Sequence, residues 1–324
     1  METIVIVGGS EDGFGADDEK PNLWLEFHKV DLKQGGKVEK NCYPKLRCWG
    51  MVGTMSLVKS KLCLAGCTAT ADEADEYACF LDLDSDSNSY SDSEWKHLPL
   101  PVGCLAFGTL DGKLYGHNHH DRYAEDENLG SDWFEFIRDR LPEDEEGEHV
   151  MIPDPPNNRI LFYTTSGKIY AYDPSHRESR LRLVAADVPD WSPLVAVVAN
   201  IAYIAFHPRW GGDYPWMLCA YDLSNGGKHL KCVWTSMEVD GVDISDLLCH
   251  IRGLFHLPNT NNFWLAACTP DRSTSVHLHF VKFQASRTDD DDRILCTPLV
   301  LVYSPIENTA HVFHFLLIHG SLHG

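Results

Sequence analysis

One unit recurs along the chain and constrains its fold more than any other feature: an apolar strand, a short turn and a second apolar strand. It reads TMSLVKSKLCLAGC, LAFGTLDGKLYGHN, HVMIPDPPNNRILFY, AVVANIAYIAFHP and GLFHLPNTNNFWLAAC, with second strands beginning near Lys61, Lys113, Arg159, Ile201 and Asn262. Those starts lie 52, 46, 42 and 61 residues apart. Helical periodicity is scarce, whereas short alternating or fully apolar runs between turn residues occur throughout, so the chain is expected to be all-β. The clearest hairpin is RILFYTTSGKIYAYDP, whose strands over 159–165 and 168–173 meet at Ser166 and Gly167.

A second marker carries the same period. Third strands close on an aspartate followed by Leu or Pro, at Asp31, Asp82, Asp173 and Asp222, with gaps of 51, 91 and 49 residues. The doubled gap means that one unit, in the polar stretch 117–148, lacks the marker. Tryptophans mark fourth strands at Trp95, Trp133, Trp191 and Trp234; Trp133, Ile137 and Leu141 also fit a short helix capped by Ser131. Four short strands in about 40 to 60 residues make a unit the size of a propeller blade.

The termini complete the pattern. The chain ends FHFLLIHGSLHG and begins ETIVIVGGSEDG, which placed end to start repeat the strand, turn, strand phrase of the interior. Six second strands are then counted, the first near residue 4. The expected architecture is a single domain over 1–324: a six-bladed β-propeller of four-stranded antiparallel blades, closed by the C-terminal strand pairing with the N-terminal strands. Closure leaves only short outer edges exposed. Two separate β-sandwiches are the alternative, and they call for a linker near the midpoint.

Charge narrows the partners. Lys and Arg number 27 against 48 Asp and Glu, a net charge of -21, which repels nucleic acid and anionic lipid and favours a basic protein partner or a small molecule. Eleven cysteines without a CxxC pair suit free thiols in the cytoplasm or nucleus. Neither a signal peptide nor an apolar run long enough to span a membrane is seen.

The double glycine at Gly8 and Gly9, weakened to Ala65 and Gly66 in the next unit, the pairs Tyr172, Asp173 and Tyr221, Asp222, and the strand-marking tryptophans resemble kelch-repeat propellers, degenerate plant kelch-type proteins above all. The resemblance spans essentially the whole chain. It implies either a non-catalytic adaptor or substrate-recognition module that binds a protein through one loop face, or an enzyme. For the enzyme, specifier-type relatives imply a metal-assisted lyase or isomerase acting on a small molecule at the mouth of the central channel. Their iron-holding series at four-residue steps is kept at Glu135 and Asp139, with Glu143 at the third position.

Loops between second and third strands share one face with the connections between blades. On that face the acidic loop CTATADEADEY brings Asp72, Glu73, Asp75 and Glu76, and HPRWGGDYPW brings Arg209, Trp210, Asp213 and Tyr214. Trp, Tyr and Arg are the residue types enriched in interface hot spots, and acids steer basic partners. The stretch GHNHHD offers His117, His119 and Asp121 as ligands for iron or zinc, although alternation along a strand lets one element contribute two at most. The adaptor reading needs no cofactor. His277, His279, His311 and His314 read as half-buried strand residues.

Overall fold

The computed structural model describes residues 2–11, 23–40, 42, 46–48, 54–58, 61–68, 76–82, 95–99, 106–117, 133–142, 145, 149–175, 181–189, 194–206, 217–270, 275–288, 292–307 and 311–319. Strands dominate, interrupted by short 3-10 turns at Pro155–Asn157, Leu223–Asn225 and Asp246–His250. None of the described helices is long and apolar enough to cross a membrane. The chain divides into two compact units. The first holds Met1–Leu141, Arg272–Val276 and Ile306–Gly324; the second holds Pro142–Asp271 and His277–Pro305.

The first unit is a series of three sheets. β1 (Glu2–Glu11) lies between β2 (Leu23–Asp31) and the C-terminal β26 (His311–His319), antiparallel to both, with β3 (Lys37–Glu39) and β4 (Leu46–Cys48) along the far side of β2. The terminal strands therefore join as their sequences predict. Ile4, Val5, Ile6 and Val7 are wholly buried, as expected of a central strand covered on both faces. β5 (Thr54–Val58), β6 (Lys61–Thr68), β7 (Glu76–Asp82) and β8 (Lys96–Pro99) form the second sheet as a four-stranded antiparallel meander. β9 (Ala106–Leu110), β10 (Lys113–His117) and β11 (Phe134–Ile137) form the third.

The second unit repeats the arrangement. β12 (His149–Asp154), β13 (Arg159–Thr164), β14 (Ile169–Tyr172) and β15 (Arg182–Ala185) form one antiparallel meander. β16 (Val195–Val198), β17 (Ile201–Phe206), β18 (Met217–Asp222) and β19 (Lys228–Trp234) form the next. A small hairpin of β20 (Glu238–Val239) and β21 (Val242–Asp243) leads to β22 (Ile251–His256), β23 (Asn262–Pro270), β24 (Ser275–Arg287) and β25 (Arg293–Glu307). β19 and β25 pair in parallel, so the last two meanders make one eight-stranded sheet.

Apolar seams between successive sheets hold each unit together. Phe27 meets Trp95 at 5.2 Å between the first two sheets, and Phe80 meets Trp133 edge-on at 4.8 Å between the second and third. In the second unit, Tyr163, Ile204 and Tyr221 lie in the seam between its first two meanders. Tyr203, Phe263, Phe283 and Trp234 fill the space between the two halves of the eight-stranded sheet, with Tyr203 4.6 Å from Phe263. Each such side chain contributes about 1.5–3 kcal/mol by leaving water. The first strands of successive sheets are also neighbours: β26 lies beside β5 and β5 beside β9, while β12 lies beside β16 and β16 beside β22.

Two features depart from uniform four-stranded antiparallel sheets. β11 sits directly beside β10 and runs parallel to it, Leu114 opposite Phe134. The polar stretch after His117 has no alternating apolar run to build an antiparallel neighbour, so the next apolar segment, FEFI, takes the free edge of β10. It has the direction a fourth strand would have, in the place of a third. The second departure is the β19–β25 pairing, which satisfies edge groups that separate blades would leave to water. Tryptophan also marks fourth strands less regularly than the sequence suggests. Trp95 precedes β8, whereas Trp234 closes β19, and β15 lies ahead of Trp191, which falls outside the described residues.

Candidate functional site: the loop end of the eight-stranded sheet

Because β19 and β25 are parallel, the eight-stranded sheet has two defined ends, and the β12–β15 meander packed beside it shares them. One end gathers the tight turns. There Asp154 is wholly buried and takes hydrogen bonds from Arg159 Nε (2.6 Å) and Asn157 Nδ2, while Arg159 Nη2 donates to Asn200 Oδ1 across to the next sheet (2.7 Å). Asn200 holds φ +63 in the β16–β17 turn, a left-handed conformation that asparagine tolerates. Asp222 caps the following 3-10 turn by accepting from the Ser224 backbone N–H and hydroxyl, and it receives Arg287 Nη1 from β24 at 2.9 Å. The Ser224 hydroxyl, then Arg287, hold the Asp222 carboxyl below the usual range against the cost of burial. Lys228 pairs with Asp292 nearby at 2.6 Å.

The opposite end carries the second-to-third connections. The shortest is a tight turn in which Thr164 accepts from the Gly167 N–H and buried Glu145 receives Lys168 Nζ and the Ser166 hydroxyl. Desolvation opposes ionisation of Glu145, but the hydrogen bonds from Lys168, Ser166 and Thr164 outweigh it and lower the carboxyl. Gly167 has φ +75 and lies so close to the next connection that a Cβ would stand 2.4 Å from the Val188 carbonyl oxygen.

At this same end, β23 finishes, β24 begins and β25 passes. His277 and His279 are half-buried on one side of β24, and Tyr303 of β25 is 47% exposed beside them. The Tyr303 hydroxyl lies 2.5 Å from His277 Nδ1, and its ring centroid stands 5.5 Å from His277 and 5.2 Å from His279. Thr269 Oγ1 is 3.2 Å from His279 Nε2. Burial, with His277 and His250 adding repulsion, holds His279 below the ordinary imidazole range, so it is neutral at pH 7. Met217, the first residue of β18, is 49% exposed at this end, opposite Phe206 in the ladder. The His277, His279, Tyr303 group escaped the sequence reading. Its legible signal is HLHF, two histidines at alternate positions opening a strand directly after a second-to-third loop.

The structure describes few of the sequence candidates. Arg209, Trp210, Asp213 and Tyr214, and likewise Asp72, Glu73, Asp75, His119 and Asp121, lie outside the described residues. Glu76 opens β7 opposite Thr68. His117 ends β10 almost wholly buried, its Nε2 2.9 Å from the Asp139 carbonyl oxygen. Glu135 lies opposite Tyr115, 3.6 Å from Lys113 Nζ. Among the described residues, no three of His, Cys, Asp and Glu gather around a point where a metal ion could sit. Among the described residues, seven cysteines, including Cys42, Cys63 and Cys219, are free thiols.

No protein-family model and no curated protein matches the chain. Among solved structures it is similar to a mitotic checkpoint complex chain at 11% identity, covering 90% of this chain and 63% of that one, with a TM-score of 0.30. It is similar to a puromycin hydrolase mutant complexed with PGG at 11% identity, with 86% and 43% covered and a TM-score of 0.39. It is also similar to apo AztD from Citrobacter koseri at 13% identity, with 88% and 73% covered and a TM-score of 0.33. The chain spans less than two thirds of the length of the first two.

Proposed function

We propose that the chain is a kelch-like, six-bladed propeller that binds a protein partner through the face carrying its second-to-third loops. The observation that carries this reading is the contrast between the two ends of the eight-stranded sheet. One end ties neighbouring sheets together with carboxylate, arginine and asparagine bonds; the other presents the exposed side chains Met217 and Tyr303. The neighbouring first strands within each unit, and the pairing of β26 with β1, support six sheets in one ring and one domain. On this reading Arg209, Trp210 and Tyr214 anchor the partner, and Asp72, Glu73, Asp75 and Glu76, with Asp213, steer a basic one. The protein works without a cofactor in the cytoplasm or nucleus, where its free thiols stay reduced. The metal-assisted lyase or isomerase reading has less behind it, since His117 is buried against a backbone carbonyl.

The test is partner capture by immobilised full-length protein at low and high salt. Wild type should retain a basic protein with affinity on the order of micromolar or tighter, released as ionic strength rises. Trp210→Ala and the triple variant Asp72→Ala, Glu73→Ala, Asp75→Ala should each lose it. Identical capture by all three proteins would sink the reading.

A further inference from the structure

We propose that His277, His279 and Tyr303 form a binding site for a divalent first-row transition metal at the loop end of the eight-stranded sheet. The site differs from the ligand set suggested around His117, and it stands or falls independently of partner binding.

Alternate residues of a strand point to the same side, so β24 presents both imidazoles together. The Tyr303 ring from the neighbouring strand lies against both, its oxygen 2.5 Å from His277 Nδ1. A His277 nitrogen and the phenolic oxygen are thus in contact, with the His279 ring against the same phenol; two imidazoles and a phenolate make a donor set that imidazole preference assigns to zinc, copper, iron or nickel rather than magnesium or calcium. Three protein donors leave a coordination position open for water or an incoming ligand. Half-exposure of Tyr303 gives the ion a way in.

The surroundings suit this role. Thr269 Oγ1 meets His279 Nε2 at 3.2 Å, the kind of outer contact that fixes which ring nitrogen is left to ligate. The phenol ligates as phenolate and its proton passes to solvent. A net charge of -21 draws cations toward the protein. Among the described thiols, Cys42 and Cys219 compete poorly, since burial pushes them up to about 12 and about 11.

Zn(II) is the probe, added to full-length protein under reducing conditions and followed by equilibrium dialysis with elemental analysis. Wild type should hold one zinc ion more per chain than the double variant His277→Gln, His279→Gln. Thr269→Val should weaken that ion by about 10–100-fold, and Tyr303→Phe should weaken it without changing the melting curve. Equal zinc content in wild type and double variant overturns the site. Should the double variant fail to fold, X-ray absorption fine structure of zinc-loaded wild type decides. Two imidazoles with a light oxygen neighbour support the site, and sulfur neighbours or fewer than two imidazoles refute it.

Discussion

The two ends of the second unit's sheets are built from the same strands and spend their polar residues differently. At the turn end, Asp154, Arg159, Asn157 and Asn200 bond to one another between two sheets, and Asp222 with Arg287 joins the two halves of the eight-stranded sheet. Bonds within each turn hold the carboxylates, and those from Asn157, Arg159 and Arg287 reach across to a neighbour, so the end acts as a clamp. At the loop end, the described staples gather around one tight turn, where Glu145 holds Ser166 and Lys168, the Val188 N–H donates to the Gly167 carbonyl and the Tyr163 hydroxyl donates to the Pro189 carbonyl. Among the described residues, His277, His279, Thr269 and Tyr303 bond among themselves at this end, and Tyr303 keeps a face toward solvent. Polar groups that hold sheets together fix geometry, while those that face outward are free to meet a ligand.

The sharpest way to break this contrast is to remove one partner of the buried pair at the clamp. Arg159→Met leaves the wholly buried Asp154 carboxylate without its guanidinium and removes one of the two bonds, from Arg159 and Asn157, that tie Asn200 to the neighbouring sheet. Loss of one partner of a buried ion pair costs about 3–5 kcal/mol, read as a lower midpoint in chemical denaturation. A loss under about 1 kcal/mol would mean that the pair behaves as a surface bridge and that the ends do not differ as described.

A second pair of variants separates backbone conformation from packing at the clamp. Gly226 and Gly227 both have positive φ, +64 and +82, but a Cβ on Gly226 meets nothing within 4 Å, whereas one on Gly227 would stand 2.4 Å from the Ala185 Cβ. Gly226→Ala should cost about 1 kcal/mol, the conformational penalty alone. Gly227→Ala should cost at least about 1–3 kcal/mol more, because β15 must shift to admit the methyl group. Equal costs would show that the turn gives way and that β15 does not hold it.

Much of the fold is legible in the sequence because it rests on alternation and turn chemistry, which are local. The second strands beginning at Lys61, Lys113, Arg159, Ile201 and Asn262 start where the recurring phrase puts them, and β26 pairs with β1 as the terminal phrases require. What the sequence hides is direction and partnership at sheet edges. FEFI announces a strand, but nothing in it says that it will lie parallel beside β10. RILC, at the start of β25, gives no sign that it will pair with β19 across a gap of some sixty residues. The site was hidden for a related reason. Two histidines in a strand resemble ordinary half-buried residues until Tyr303, on the next strand, is known to lie against them. Arg209, Trp210 and the acidic residues of the loops stand out by composition alone, a signal of residue type without position.

Acid distinguishes the ends less sharply, since both hold a lowered carboxylate. The Ser224 hydroxyl with Arg287 keeps Asp222 below its ordinary value, and Lys168 with Ser166 and Thr164 does so for Glu145. A carboxyl lowered by folding adds stability above its unfolded pKa and loses it as pH falls through the lower folded value. Thermal stability should therefore be level near neutrality and decline below the usual carboxylate range. Asp222→Asn and Glu145→Gln should each be less stable near neutrality and show a shallower acid limb. A limb unchanged in both would remove these two groups from the acid transition.

The smallest effect on stability is expected where the consequence for binding is largest. Tyr303 is 47% exposed, and its hydroxyl bonds a half-buried imidazole rather than another sheet. Tyr303→Phe keeps the ring against His277 and His279, so unfolding should change by no more than about 0.5 kcal/mol, the ordinary range for surface substitutions. Arg159→Met, by contrast, should leave the loop end's chemistry intact in whatever fraction stays folded. The decisive comparison is zinc retention by the two variants at a temperature where both are folded: normal in Arg159→Met and weakened in Tyr303→Phe. The reverse pattern, retention following stability, would mean that the loop end is held in shape by the clamp and that its groups have no separate role.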